Sequence, residues 1–225
     1  MAKEHRKWVL AALVLTCCAA MALIDGVLRP SYPVKSAVKL CLFVICPLLY
    51  GRVCRDWNWR DLFRPSRRNL GRAALLGAGV FAVILGAYLI LRNIFDFSGI
   101  TALLEENAGV TGENFLWVAL YISFVNSLLE EFFFRGFAFL ALRELGGRRL
   151  AYWFSALAFA LYHTAMMLGW FSLPLFLLAM AGLTIGGLIF NWLNESSGTI
   201  YISWTVHMCA NFAINGIGFL LFGLL

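Results

Sequence analysis

Seven apolar stretches recur along this chain, at residues 8–24, 36–51, 72–95, 115–142, 150–169, 172–193 and 198–223. A helix needs roughly 20 apolar residues to cross the hydrocarbon core of a bilayer, so this pattern leaves few ways to fold. Open sheet edges cannot stand in lipid, and the alternation of a transmembrane barrel does not recur. The sequence therefore predicts an all-α, polytopic transmembrane helix bundle of about seven spans. The second stretch is the shortest and holds Pro47. Composition agrees: of 225 residues, 62% are hydrophobic and 13% charged, where ordinary soluble domains carry about 25% charged residues. A soluble domain of this size could not hide so much apolar surface. One integral membrane domain over residues 1–225 is expected, with three N-terminal spans within 1–95.

The charges between the stretches orient the bundle. Seven arginines lie between Arg52 and Arg72, against Asp56 and Asp61, whereas Asp96–Glu113 carries Asp96, Glu105, Glu106 and Glu113 with no Lys or Arg. Arg143, Arg148 and Arg149 mark the return. Under the positive-inside rule these loops are satisfied together by a cytoplasmic N-terminus and an external C-terminus. The net charge of +6 then reads as a topology signal facing anionic lipid, and no nucleic-acid partner is expected. Lys3, Arg6 and Lys7 before an apolar run imitate a signal peptide, but the spans that follow favour an uncleaved first helix. A short amphipathic helix is expected near Leu103–Asn107. The six cysteines lie in apolar runs or at the edge of the basic loop, without metal-binding spacing, and read as free thiols. Gly182 and Gly186 form a small-xxx-small pair suited to close helix packing.

Within the fourth stretch stands Asn126-Ser127-Leu128-Leu129-Glu130-Glu131-Phe132-Phe133-Phe134-Arg135-Gly136. An ionisable group at mid-bilayer costs roughly 2.5–3.5 kcal/mol by insertion scales, so three in six residues demand partners or a wet cavity. Glu131 and Arg135, four apart, can neutralise each other. Glu130 points about 100° away and finds Phe134, not a cation, one turn on. Asn126 shares its face and can hydrogen-bond it; a protonated, hydrogen-bonded Glu130 is the plainer alternative. Two of the three histidines, His163 and His207, also fall in apolar stretches, where each alone could be an interhelical hydrogen-bonder. Depth relates them. Glu130 lies 13 residues from Arg143, His163 lies 14 beyond Arg149, and Asn211 lies 13 past Gly198 with His207 one turn nearer. At about 1.5 Å per residue Glu130, His163 and Asn211 sit roughly 20 Å from the inner edge and His207 within about one turn of them.

Glu130-Glu131-xxx-Arg135, Phe159-xxx-His163 and His207-xxx-Asn211, in this order on separate helices, resemble the motifs of the CAAX-protease/bacteriocin-processing (CPBP) family of intramembrane endopeptidases. The resemblance spans about residues 115–215, the catalytic helices it implies; the first three spans carry no comparable motif. It implies Glu130 as general base with His163 sharing the attacking water, and His207 and Asn211 as donors to the oxyanion. Glu131 and Arg135 would be a supporting pair, with Asn126 and Phe159 beside them. No cofactor is implied by this glutamate mechanism.

Two histidines and a carboxylate also permit a zinc reading on Glu130, His163 and His207, although HExxH is lacking and Asn211 is a poor zinc ligand. A non-catalytic membrane scaffold or immunity protein is a second alternative. A proton-coupled transporter is a third, against which no inverted repeat is detectable. As a peptidase, the chain is expected to act on a membrane-embedded or lipid-associated protein or peptide. Its compact loops suggest a prokaryotic inner membrane, hence peptide pheromones, bacteriocins or membrane-anchoring sorting tails as substrates.

Overall fold

The computed structural model describes residues 3–54, 57–64 and 70–225. Arg55, Asp56, Arg67 and Arg68 of the basic loop lie outside the described residues. The described residues are mostly helical, with no strand among them. Among the described residues, seven helices are long and apolar enough to cross a membrane: α1 (Lys3–Leu28), α2 (Tyr32–Cys54), α3 (Leu70–Leu91), α5 (Phe115–Gly146), α6 (Arg148–Met167), α7 (Leu173–Ser197) and α8 (Ile200–Leu221). The acidic segment after α3 folds as the short α4 (Ile100–Ala108), which begins three residues earlier and ends one residue later than the sequence suggests. A single tight 3-10 turn, Trp59–Phe63, occupies the described part of the basic loop, where Asn58 accepts a hydrogen bond from the Arg60 amide.

Local chemistry sets the ends. Pro33 and Pro174 stand in the first turns of α2 and α7, where a missing N–H costs nothing. The connections between α5 and α6 and between α7 and α8 are made by Gly147 (φ 89°) and Gly198 (φ 70°). Both lie in a region that other residues enter only under strain, which is why two hairpins need so little chain. Thr199 then caps α8 by accepting from the Tyr201 amide. Pro47 does not end the second span. Over Cys41–Ile45 the helix widens, and the Cys46 amide reaches back five residues to the Cys41 carbonyl. That register change accommodates a ring that would clash with a regular preceding turn.

At the centre runs α5, in which every residue from Leu129 to Phe139 is buried. It touches α1, α2, α6, α7 and α8. Between apolar helices in lipid, packing replaces the hydrophobic effect as the adhesive, and here the packing is aromatic. Phe43 stacks on Phe133 at 4.1 Å and 6°, meets Phe134 edge-on, and meets Tyr162 at 5.3 Å. By contrast α3 leans mainly on α8. Their approach is closest at Gly77, where a Cβ would stand 2.6 Å from Cys209 Sγ.

The small-residue expectation needs correction. Nothing lies within 4 Å of a Cβ built at Gly182 or Gly186, whereas one at Gly187 would meet Ala156 Cα at 3.0 Å. Gly187 is one residue further around the helix, so the close face of α7 is rotated by about 100° from the pair. All six cysteines are free thiols.

Candidate active site

The fourth span is not a regular helix. Tyr121–Asn126 and Glu131–Ala141 are wound in π register around one α-helical turn, Ser127–Glu130. Such widened turns gather at functional sites because they re-aim side chains, and this one carries Asn126, Glu130, Glu131 and Arg135 inward. Glu130 is 1% exposed; Glu131 and Arg135 are fully buried.

Glu130 has two differently dressed oxygens. Its Oε1 accepts from Lys39 Nζ at 2.5 Å and from Asn126 Nδ2 at 2.9 Å. Its Oε2 faces His207 Nε2 at 3.7 Å and His163 Nε2 at 3.9 Å. Those separations exceed direct hydrogen-bond reach and suit a shared water molecule. The expected Asn126–Glu130 hydrogen bond is present, and Glu130, His163 and His207 converge from α5, α6 and α8.

Each imidazole is oriented from behind. His163 Nδ1 lies 2.7 Å from the Phe159 carbonyl. A carbonyl only accepts, so Nδ1 carries the proton and a neutral ring offers Nε2 as a lone pair. His207 Nδ1 lies 3.0 Å from Glu131 Oε1, and its ring stacks on Phe190 at 5.1 Å and 23°. Glu131 is in turn 3.5 Å from Arg135 Nε. The flat guanidinium lies 4.1 Å from the Phe159 ring and 4.9 Å from that of Phe190. It makes no hydrogen bond among the described residues, so the aromatic faces and the Glu131 charge hold it.

Asn211, one turn beyond His207, does not join the Glu130 contacts. Its Nδ2 donates to the Ile122 carbonyl at 3.1 Å, leaving a second N–H on the same nitrogen.

Lys39 was not singled out from the sequence. Its signal was available: a lone cation in the apolar stretch 36–51 needs a partner as much as Glu130 does. The two meet across 91 residues of chain.

Among the described residues no group of three or more His, Cys, Asp or Glu is disposed to hold a metal ion. The donor set also fits a dication poorly. Lys39 and Arg135 already match the two carboxylates in charge, and two further positive charges in a low-dielectric interior would be unopposed.

With this geometry in view, one comparison with known proteins bears on the family. Residues 112–213 match the model of the Rce1-like family, type II CAAX prenyl endopeptidase Rce1-like. This is the CPBP family that the ordered motifs resemble, and the match covers Glu130, His163, His207 and Asn211. No curated protein and no solved structure matches the chain. Lys39 lies outside the Rce1-like segment, on a helix that the family match does not reach.

Proposed function

We propose that this protein is an intramembrane endopeptidase of the glutamate type, hydrolysing a peptide bond in a hydrophobic or membrane-anchored segment of another protein. The observation that carries the reading is the approach of two imidazole Nε2 atoms to one oxygen of a buried carboxylate, within the segment that matches a peptidase family.

In this reading a water molecule lies between Glu130 Oε2 and His163 Nε2. Glu130 takes one proton as the water oxygen adds to the scissile carbonyl carbon, and the carbonyl electron pair moves onto its oxygen. His207 and Asn211 donate to that oxyanion. Glu131 holds the His207 ring from behind through Nδ1, so that Nε2 faces the site, and Asn211 uses its remaining N–H. Donors prearranged in a site poor in water are worth more than in solution. Collapse of the adduct expels the amine, which takes the proton from Glu130, giving a free amine and a carboxylic acid that releases its remaining proton to water. Glu131 and Arg135 orient His207, and Phe159 orients both His163 and Arg135.

The charge pattern of the loops supports an N-terminus on the cytoplasmic side, and a prokaryotic inner membrane is the setting proposed. Substrates there would be pheromone precursors, bacteriocins or membrane-anchoring sorting tails; the likeness to CAAX prenyl endopeptidases adds prenylated C-terminal peptides. Comparative membrane proteomics of cells carrying the unaltered protein or Glu130→Gln tests the reading. A membrane protein that keeps an uncut tail only in the variant supports it, and identical tails in both cell lines contradict it.

A further inference from the structure

We infer that Lys39 is a positioning residue and the counter-ion of this site, holding Glu130 as a carboxylate by Oε1 alone and thereby presenting Oε2 to His163 and His207. Its consequence for turnover rests on the peptidase reading above; its electrostatic content does not.

The ammonium is fixed from three sides. Nζ donates to Glu130 Oε1 and to Asn126 Oδ1, each at 2.5 Å. It also lies 5.3 Å from the Phe43 ring and 5.0 Å from the Tyr162 ring. Neither ring is free to yield, since Phe43 stacks on Phe133 and Tyr162 packs between Phe43 and Phe134. Asn126 closes the arrangement, because its carbonyl oxygen takes the lysine while its amide nitrogen donates to the same Glu130 oxygen at 2.9 Å. Only one orientation of that amide satisfies both neighbours.

Simple neutralisation would not require this focus. A lysine that merely cancelled a buried charge could meet either carboxylate oxygen. Here two donors converge on Oε1, and the two imidazoles stand at Oε2. The neighbouring cation on the same helix is already engaged: Lys35 Nζ lies 3.7 Å from Asp25 Oδ1 and donates to the Asn107 carbonyl. Charge in the site balances pairwise, with Lys39 opposite Glu130 and Arg135 opposite Glu131. A carboxylate at this depth stays ionised only with such a partner. The first half of the chain thus supplies a site component to the Rce1-like half.

Dicyclohexylcarbodiimide, a lipid-soluble reagent that captures protonated carboxyl groups, tests this without any substrate. The protein in lipid vesicles at neutral pH is treated with the reagent, and adducts are located by peptide mass spectrometry. Glu130 in the unaltered protein is expected to stay unlabelled. In Lys39→Met its labelled fraction should rise by about tenfold, and Lys39→Arg should restore protection. Lys39→Gln, which keeps a donor without the charge, carries the same comparison if Lys39→Met does not accumulate. Labelling of Glu130 in the unaltered protein would overturn the proposal, as would equal protection in Lys39→Met. Labelling that spreads equally to Glu131 and Asp25 would show a general loosening and overturn it too. The two readings separate cleanly. Protection of Glu130 in Lys39→Met with an inactive Glu130→Gln removes the counter-ion and leaves the peptidase. Selective labelling in Lys39→Met with tails still cut in Glu130→Gln cells does the reverse.

Discussion

Lys39 Nζ and Glu130 Oε1 stand 2.5 Å apart at the buried centre of the bundle, joining the second span to the fourth. Each is the partner that the other's position in an apolar helix demands. Removing one should therefore hurt more than removing both. Lys39→Met and Glu130→Gln, each alone, are expected to lower stability by about 3 kcal/mol through the charge left unpaired. The double variant should recover most of that loss. A double-mutant cycle on unfolding in detergent measures it; additive losses would mean that the pair is not coupled.

Arg135 is held by its shape as much as by its charge. The planar guanidinium lies against Phe159 and Phe190, and a lysine ammonium has no flat face to offer. Arg135→Lys should accumulate poorly or turn over slowly despite keeping the charge. Phe159→Ala should destabilise by about 3–5 kcal/mol, as truncations of large buried rings do. Thermal unfolding of both variants beside the unaltered protein provides the check; an Arg135→Lys protein of normal stability and turnover would contradict this view of the guanidinium.

Asn211 separates a donor role from a packing role. Its visible hydrogen bond is to the Ile122 carbonyl, so if it served packing alone, Asn211→Ala would lower stability and spare kcat. As an oxyanion donor it should cost about 10²–10³ in kcat with little change in KM. Steady-state kinetics on the folded variant distinguishes the two.

Helix packing offers a control far from the chemistry. A Cβ at Gly187 would press on the Ala156 backbone, while one at Gly182 meets nothing within 4 Å. Gly187→Ala should destabilise by about 1–3 kcal/mol, and Gly182→Ala should be neutral or slightly stabilising through helix propensity. Equal melting temperatures for the two variants would place the contact face elsewhere.

Much of this architecture is legible in the residues because lipid imposes one rule on every span. The seven apolar stretches mark the seven helices within several residues, and the misjudged ends follow from polar residues that helices tolerate near their termini. Glu130, His163 and His207 could be grouped by depth because a buried charge is too costly to be casual. The same depth argument placed Asn211 with them, but depth does not choose a partner, and its carboxamide meets the Ile122 carbonyl rather than the Glu130 oxygens. Lys39 escaped that logic: its partner lies 91 residues away, and only the crossing of α2 over α5 brings them together. The π register of α5 was equally hidden, because nothing in the Phe-rich run Phe132–Phe134 distinguishes four residues per hydrogen-bonded step from five. Gly182 and Gly186 were chosen by spacing alone, and spacing does not say which face of α7 meets a neighbour.

The measurement that bears most directly on the central claim uses purified protein in liposomes with a fluorogenic, membrane-anchored peptide. Glu130→Gln keeps the size of the side chain and removes the base. The account predicts that this variant, though less stable, still inserts and reaches the same fold, while the cleavage rate of its folded fraction falls by about 10²–10⁴-fold, the range general-base catalysis supplies. Cleavage by Glu130→Gln at the rate of the unaltered protein would contradict it.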